Sequence, residues 1–318
     1  MTTTPPDRSG STFVVTGGTG GLGYFTAERL AATGARVVLT ARDVDRGVRA
    51  TDSIRWHVPR SRVEAVSLDL TDPASVRSAA REIEEIAGTG GLDALVLNAG
   101  STTSPRERTL TAAGLEVTVA TNVVGHAALT GHLWPSLTTA DRTRPARVVG
   151  LGSLATRIVP FDVDALVADH AYRPFRTYGL SKHAVHAFVL ELARRIAGAD
   201  AGTAAGAGTA VQALLAHPGY AVDALSPARP GIVVSGRFER IPFAQGKHEG
   251  ARPTLRAVLD TALPNGAFVG PRFTTRGAPV LTTPVASSAS REAGAAVWEL
   301  LDRWRGGALP RLAAAPTA

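Results

Sequence analysis

Short runs of β-branched and apolar residues alternate along this chain with longer stretches in which apolar residues recur every three or four positions. The runs at 13–16, 36–40, 63–68, 94–97, 147–151 and 211–215, with a last short one near Phe268 and Val269, have the length and composition of buried strands. The stretches at 24–33, 73–87, 114–133 and 178–196 have helical period. Such alternation predicts βαβ units and an α/β fold: a single Rossmann-type, doubly wound parallel sheet of about seven strands with helices on both faces. Thr71 or Asp72 before Pro73 predicts a helix start, because a capping side chain and a first-turn proline suit the free N–H groups there. Trp298, Leu301 and Trp304 share one face of a late helix and are expected in the core.

Some stretches lack the pattern. Residues 1–11 and 307–318 are expected to be disordered around one domain at 12–306. Residues 199–209, rich in Ala and Gly, read as a flexible connection. Residues 220–252 mix proline, glycine and apolar residues without a period, and are expected to form a substrate loop or mobile lid.

Composition then narrows the chemistry. The absence of cysteine excludes a disulfide framework, thiolate catalysis and a cysteine-held metal. His183 and His186 are three apart with no evident third ligand, so no metal is expected. His217 reads as a strand-end packing residue. The formal charge is +7, but the arginines are scattered among acids, and no nucleic-acid partner is expected. No run approaches the roughly 18 uncharged apolar residues of a membrane span, so a cytoplasmic protein without a membrane anchor is expected. Lysine occurs only at 182 and 247, and asparagine only at 98, 122 and 265, which gives weight to those on motif positions.

Two motifs carry chemistry. The first strand runs into Thr16-Gly17-Gly18-Thr19-Gly20-Gly21-Leu22-Gly23 and then a helix. A turn without side chains lets backbone approach a pyrophosphate, and the helix start offers free N–H groups and a favourable dipole. The second strand ends Ala41-Arg42. Ala41 cannot accept from a ribose hydroxyl, whereas Arg42 can pair with a 2′-phosphate, which favours NADP(H); the alternative is a surface pair with Asp43 or Asp45. Asp69 and Leu70 follow the third strand, where Asp69 can bond the adenine amino group, and Asn98-Ala99-Gly100 ends the fourth. In the second motif, Tyr178-Gly179-Leu180-Ser181-Lys182, tyrosine and lysine lie one helical turn apart, so the ammonium is expected to lower the pKa of the phenol. Tyr178 can then exchange a proton with a carbonyl oxygen. Ser153, after the fifth strand, either holds that oxygen or caps the next segment. Asn122, mid-helix, either serves something such as a bound water or faces solvent.

Together these residues resemble the short-chain dehydrogenase/reductase family, whose marks are TGxxxGxG, NAG, a helix asparagine, a strand-end serine, YxxxK and a later PG. The sequence around Ala41-Arg42-Asp43, Glu191 to Arg195 and Pro253-Thr254-Leu255 is similar to the retinol dehydrogenase-like branch. The resemblance implies a classical tetrad of Asn122, Ser153, Tyr178 and Lys182, with Lys182 also holding the nicotinamide ribose. It implies a cofactor site of Gly17, Thr19, Gly21, Leu22 and Gly23, with Arg42, Asp69, Leu70, Asn98, Ala99 and Gly100, joined by Tyr178, Lys182, Pro218 and Gly219. One departure stands out: after Pro218-Gly219, where the family usually has threonine, the chain reads Tyr220-Ala221-Val222-Asp223.

The expected activity is an NADP(H)-dependent, ketoreductase-type oxidoreductase acting on a medium or large apolar small molecule. Ile158, Val159, Phe161, Tyr220, Phe238 and Phe243 are the expected pocket residues. The alternatives are non-redox use of the same site, as in epimerisation, dehydration or cyclisation, and a cofactor-binding sensor without turnover. A homo-oligomer is left open.

Overall fold

The computed structural model describes residues 6–100, 105–139, 144–167, 172–201, 211–233, 242–305 and 309–310. β1 (Thr12–Val15), α1 (Gly21–Ala31), β2 (Arg36–Ala41), α2 (Val44–His57), β3 (Arg62–Ser67), α3 (Pro73–Ala87) and β4 (Ala94–Leu97) form the first half. A helical run follows, of α4 (Val117–Val119), a π-helical turn (Ala120–Val124) and α5 (Gly125–His132), then α6 (Trp134–Leu137) and β5 (Ala146–Leu151). Next come α7 (Pro174–Ala201), β6 (Val211–Ala216), β7 (Ala221–Val222), β8 (Gln245–Gly246), α8 (Lys247–Gly250) and α9 (Arg252–Leu259). β9 (Phe268–Pro271), β10 (Pro279–Leu281), α10 (Ala286–Ala289) and α11 (Arg291–Arg305) complete the chain.

The main sheet has eight strands in the order β10-β9-β6-β5-β4-β1-β2-β3, all parallel except β10 against β9. The eighth strand, β10, is three residues of a hairpin and lacks the apolar run that marks the others. β7 and β8 form a separate parallel pair. Alternation along each strand splits the core in two. Val14, Val38, Leu95, Val148 and Leu215 pack among α3, α5, α7 and α11, while Phe13, Val15, Val37, Leu39, Val96 and Leu214 face α1, α2 and α9. Trp298 is buried against Phe188, with ring centroids 5.9 Å apart, as the helical pattern predicted. Asp72 caps α3 by accepting from Ala74 N–H at 2.8 Å.

The strand order reverses direction between β1 and β4, and at such a switch point the loops part to leave a crevice at the C-terminal strand ends. Within the N-terminal stretch expected to be disordered, Arg8 to Ser11 are tied in: Arg8 N–H donates to Thr33 O, and Ser11 O accepts from Arg36 N–H. Near the other end, Leu309 is buried in the core. Residues 1–5, 202–210 and most of 307–318 lie outside the described residues. The excursion at 220–252 is anchored at both described ends by the β7–β8 pair and by Arg229, which bonds both oxygens of Glu28 on α1 at 2.6 and 2.9 Å.

Candidate active site

The glycine turn is sterically committed. Gly17 and Gly21 have φ of +67° and +53°, a region that favours glycine. A Cβ on Gly23 would run into the Gly17 carbonyl and the Asn98 amide, and one on Gly17 would stand 2.9 Å from Ala99 Cα. Gly20, the N-cap of α1, offers no side chain to the first-turn N–H groups. The turn therefore presents bare backbone donors to the crevice, which fits a pyrophosphate.

Thr16, fully buried at the end of β1, holds this turn to β4. Its Oγ1 accepts from Asn98 N–H and Ala99 N–H, both at 2.9 Å, and lies 2.9 Å from His126 Nε2. His126 Nδ1 is 3.1 Å from the Asn122 carbonyl, which can only accept, so Nδ1 carries the hydrogen and Nε2 accepts from Thr16. Burial holds His126 neutral, with its pKa pushed down to about 4. Sequence reasoning missed this link, whose only signal was a histidine four residues after Asn122.

Beside the end of β2 lies a cavity of about 620 Å³ lined by Gly17, Thr19, Arg42, Asp69, Leu70 and Gly100, among others. Asp43 is occupied as the cap of α2, accepting from Arg46 N–H, and Arg42 has no ion-pair partner among the described residues. Arg46, one turn into α2, lines the same cavity and was not anticipated. Asp69 lies at the wall, with Oδ1 held by Thr71 N–H and Oγ1 at 2.9 and 2.7 Å.

A second cavity, of about 710 Å³, shares Gly17, Ala99 and Gly100 with the first and extends past Gly21, Leu22, Gly23 and Asn98 to Ser153, Tyr178, Lys182, Pro218 and Gly219. A crevice that runs from an arginine through a glycine cradle to a phenol fits an extended dinucleotide. α7 begins at Pro174, a turn earlier than expected, and puts Tyr178 and Lys182 on one face, with Nζ 5.9 Å from the ring centroid. Lys182 is buried, bonds the Leu151 carbonyl at 3.0 Å, and has its pKa pushed down to about 8 by desolvation. Tyr178 departs from expectation: burial raises the phenol above its ordinary value, a bond from Ser153 opposes that rise, and Lys182 does not reverse it. Ser153 both caps the short turn Leu154–Arg157, accepting from Ala155 N–H at 3.2 Å, and bonds Tyr178, so its two readings coexist.

Asn122 is buried in the π-helical turn and does not face solvent. Its Nδ2 donates to Ser181 Oγ at 2.9 Å, and Ser181 donates to Tyr178 O at 2.7 Å. A Cβ on Gly100 would stand 2.8 Å from Asn122 Oδ1 and 3.7 Å from Lys182 Nζ, so these two groups converge there. The π turn offsets the register of the helix, a distortion that recurs at functional sites.

The expected pocket is only partly assembled. Ile158 and Tyr220 line the second cavity, joined by Leu154, from the short turn after β5, and by Phe175, which sequence reasoning missed because it began α7 too late. Val159 is buried behind Gly179, and Phe161 stacks on His183 at 4.8 Å, away from the cavity. Phe243 lines a separate surface groove with Phe273, and Phe238 lies outside the described residues. His217 is buried and neutral at about 4, accepting from Gly219 N–H, as a packing residue would be. Among the described residues no helix is long and apolar enough to cross a membrane.

A protein from Mycobacterium paratuberculosis has a crystal structure that superposes with a TM-score of 0.75 over 96% of this chain and 97% of that one, at 32% identity. Retinol dehydrogenase 12 from Mus musculus is 33% identical over 257 residues, 81% of this chain and 76% of that protein. Polyprenol dehydrogenase from the same organism is 37% identical over 190 residues, 59% of this chain but only 56% of the relative's length. The model of a family described as short chain dehydrogenase matches residues 11–203, which hold the glycine turn, Asn98, Asn122, Ser153, Tyr178 and Lys182. With that match and a cleft built around the same residues, the chain belongs to the short-chain dehydrogenase family of nicotinamide-dependent oxidoreductases.

Proposed function

We propose that this enzyme is an NADP(H)-dependent oxidoreductase that moves a hydride between nicotinamide and the carbonyl or alcohol carbon of a medium or large apolar molecule. The observation that carries the reading is the convergence of Tyr178, Ser153 and Lys182 in one cavity with Gly17, Gly21 and Gly23. The bound nicotinamide supplies or accepts the hydride. Tyr178 gives its proton to the carbonyl oxygen in reduction and takes it back in oxidation, while the Ser153 hydroxyl holds the same oxygen. Lys182 and Asn122, converging beside Gly100, hold the nicotinamide ribose and carry the proton onward. A phenol raised by burial stays protonated at neutral pH, which suits the reductive direction.

Arg42 and Arg46, on the wall beside the end of β2, support NADP(H) over NAD(H) through charge-assisted bonds to the 2′-phosphate. The substrate class is supported by the apolar wall of Leu154, Ile158, Phe175 and Tyr220 and by the polyprenol and retinol named for the relatives. The test is a panel of lipophilic aldehydes, ketones and alcohols followed by nicotinamide absorbance, with cofactor affinity measured separately. Tyr178→Phe should bind cofactor normally and lose roughly 100-fold or more in turnover, and Arg42→Ala should erase most of the preference for NADPH. Full activity in Tyr178→Phe would overturn the catalytic assignment, and equal affinities of the unaltered enzyme for NADPH and NADH would overturn the cofactor assignment.

A further inference from the structure

The excursion after β6 brings two opposite charges to the glycine turn, and the reaction described above uses neither. Lys247, one of only two lysines, follows β8 directly, and its backbone N–H donates to Ser226 Oγ at 2.7 Å. From that start its side chain reaches to Gly21, the first residue of α1. Lys247 Nζ lies 3.9 Å from the point where a Cβ on Gly21 would stand, and the residue lines the same cavity as Gly21 and Leu22. Asp223 Oδ1 lies 3.9 Å from that same point. No hydrogen bond or ion pair of the Lys247 ammonium is found among the described residues.

We propose that Lys247 is a ligand of the cofactor's diphosphate, and that Asp223 is its counter-charge, setting how strongly this spot attracts an anion. The inference rests on the reading of the cleft as a nicotinamide dinucleotide site. The bare N–H groups of the turn already favour the diphosphate at Gly21, and an ammonium at that position adds a full charge from the open side. A carboxylate alone at the same place would repel the ligand, so the lysine and the aspartate act in opposition. The arrangement also gives a role to the acid where the family usually has threonine: with no ion pair joining the two, Asp223 acts through space and lowers the pull of this spot on a phosphate. Because both charges come from the excursion, binding at the diphosphate ties that segment to α1.

The test measures dissociation constants by calorimetry for NADP⁺, NAD⁺, ADP-ribose and adenosine 2′-monophosphate, which has no 5′-phosphate. Lys247→Gln should weaken the first three by a similar factor, about tenfold, and leave the monophosphate unchanged; Lys247→Arg should restore most of the loss. Asp223→Asn should tighten the same three several-fold. Unaltered affinities in Lys247→Gln, or a loss confined to ligands with the 2′-phosphate, would overturn the role of Lys247. Weaker binding by Asp223→Asn would overturn the counter-charge. Failure of the unaltered protein to bind any of the four would instead overturn the dinucleotide reading itself, and unchanged thermal unfolding in each variant separates these outcomes from misfolding.

Discussion

At the end of the cleft formed by β1, β2 and β3, the walls come from strand ends and the turns that follow them at once: Gly17 to Gly23 after β1, Arg42 and Arg46 after β2, Asp69 and Leu70 after β3. At the other end, under β5 and β6, Ile158, Phe175 and Tyr220 come from three separate segments of the chain. The first half is specified largely by local demands, since Gly17 and Gly21 take positive φ and a Cβ on Gly23 would run into the Gly17 carbonyl six residues back. The second half is specified by contacts such as the β7–β8 pair and the Arg229–Glu28 bond, which exist only once the chain has folded. A site divided in this way can keep one ligand constant while the residues facing the other vary.

The largest effect expected is on acidification. His126, His186 and His217 are buried, with pKa values pushed from 6.5 to about 4, 3 and 4 by desolvation. Each is neutral in the fold and gains a proton on unfolding, so the unfolded chain binds more protons between pH 6.5 and roughly 3. Stability is full above pH 6.5 and falls as the pH drops through that window, by on the order of a few kcal/mol per histidine. Both ring nitrogens of His186 are buried without a hydrogen-bond partner among the described residues, and the rings of His186 and His217 lie 5.1 and 5.3 Å from Phe268. The β5–β6–β9 side should therefore lose amide protection first, and His186→Leu should flatten the decline. Simultaneous loss of protection in both halves would break the comparison.

Next in size is Gly23→Ala. The added methyl must displace the Gly17 carbonyl or the Asn98 amide, and NADP⁺ affinity should fall roughly 100-fold, equivalent to about 2.7 kcal/mol. A dissociation constant within a few-fold of the unaltered protein would mean the turn is less committed than its geometry indicates. The smallest effect belongs to the substrate wall. Phe175→Ala should raise KM for an apolar substrate several-fold, with NADP⁺ affinity unchanged; an equal effect on both would show that Phe175 serves the cofactor half as well.

What could be read from the sequence follows the same division. Strand runs, the glycine turn, the Asp72 cap and the Tyr178–Lys182 spacing are local signals, and their positions in the fold agree with the reading. Lys247 and the Thr16–His126 link lacked such signals because each acquires its meaning from a partner distant in sequence, whereas β10 has no apolar run and Phe175 lies in a first turn of α7 that the pattern did not reach. Tyr178 illustrates the limit most clearly. Spacing put an ammonium one turn away, but the degree of burial, which a pattern does not report, sets the direction of its pKa.

The two margins of the main sheet bear on how this molecule behaves in a crowded solution. β3, at one margin, leaves Arg62, Ala65 and Ser67 exposed, and β10, at the other, is three residues long and opens with Pro279, which has no N–H to offer. A margin that carries charge, or ends in a short proline-led strand, is a poor template for another chain's backbone. Concentrating the protein should therefore not drive strand-to-strand stacking, and copies that do meet must do so through side chains on helices and loops.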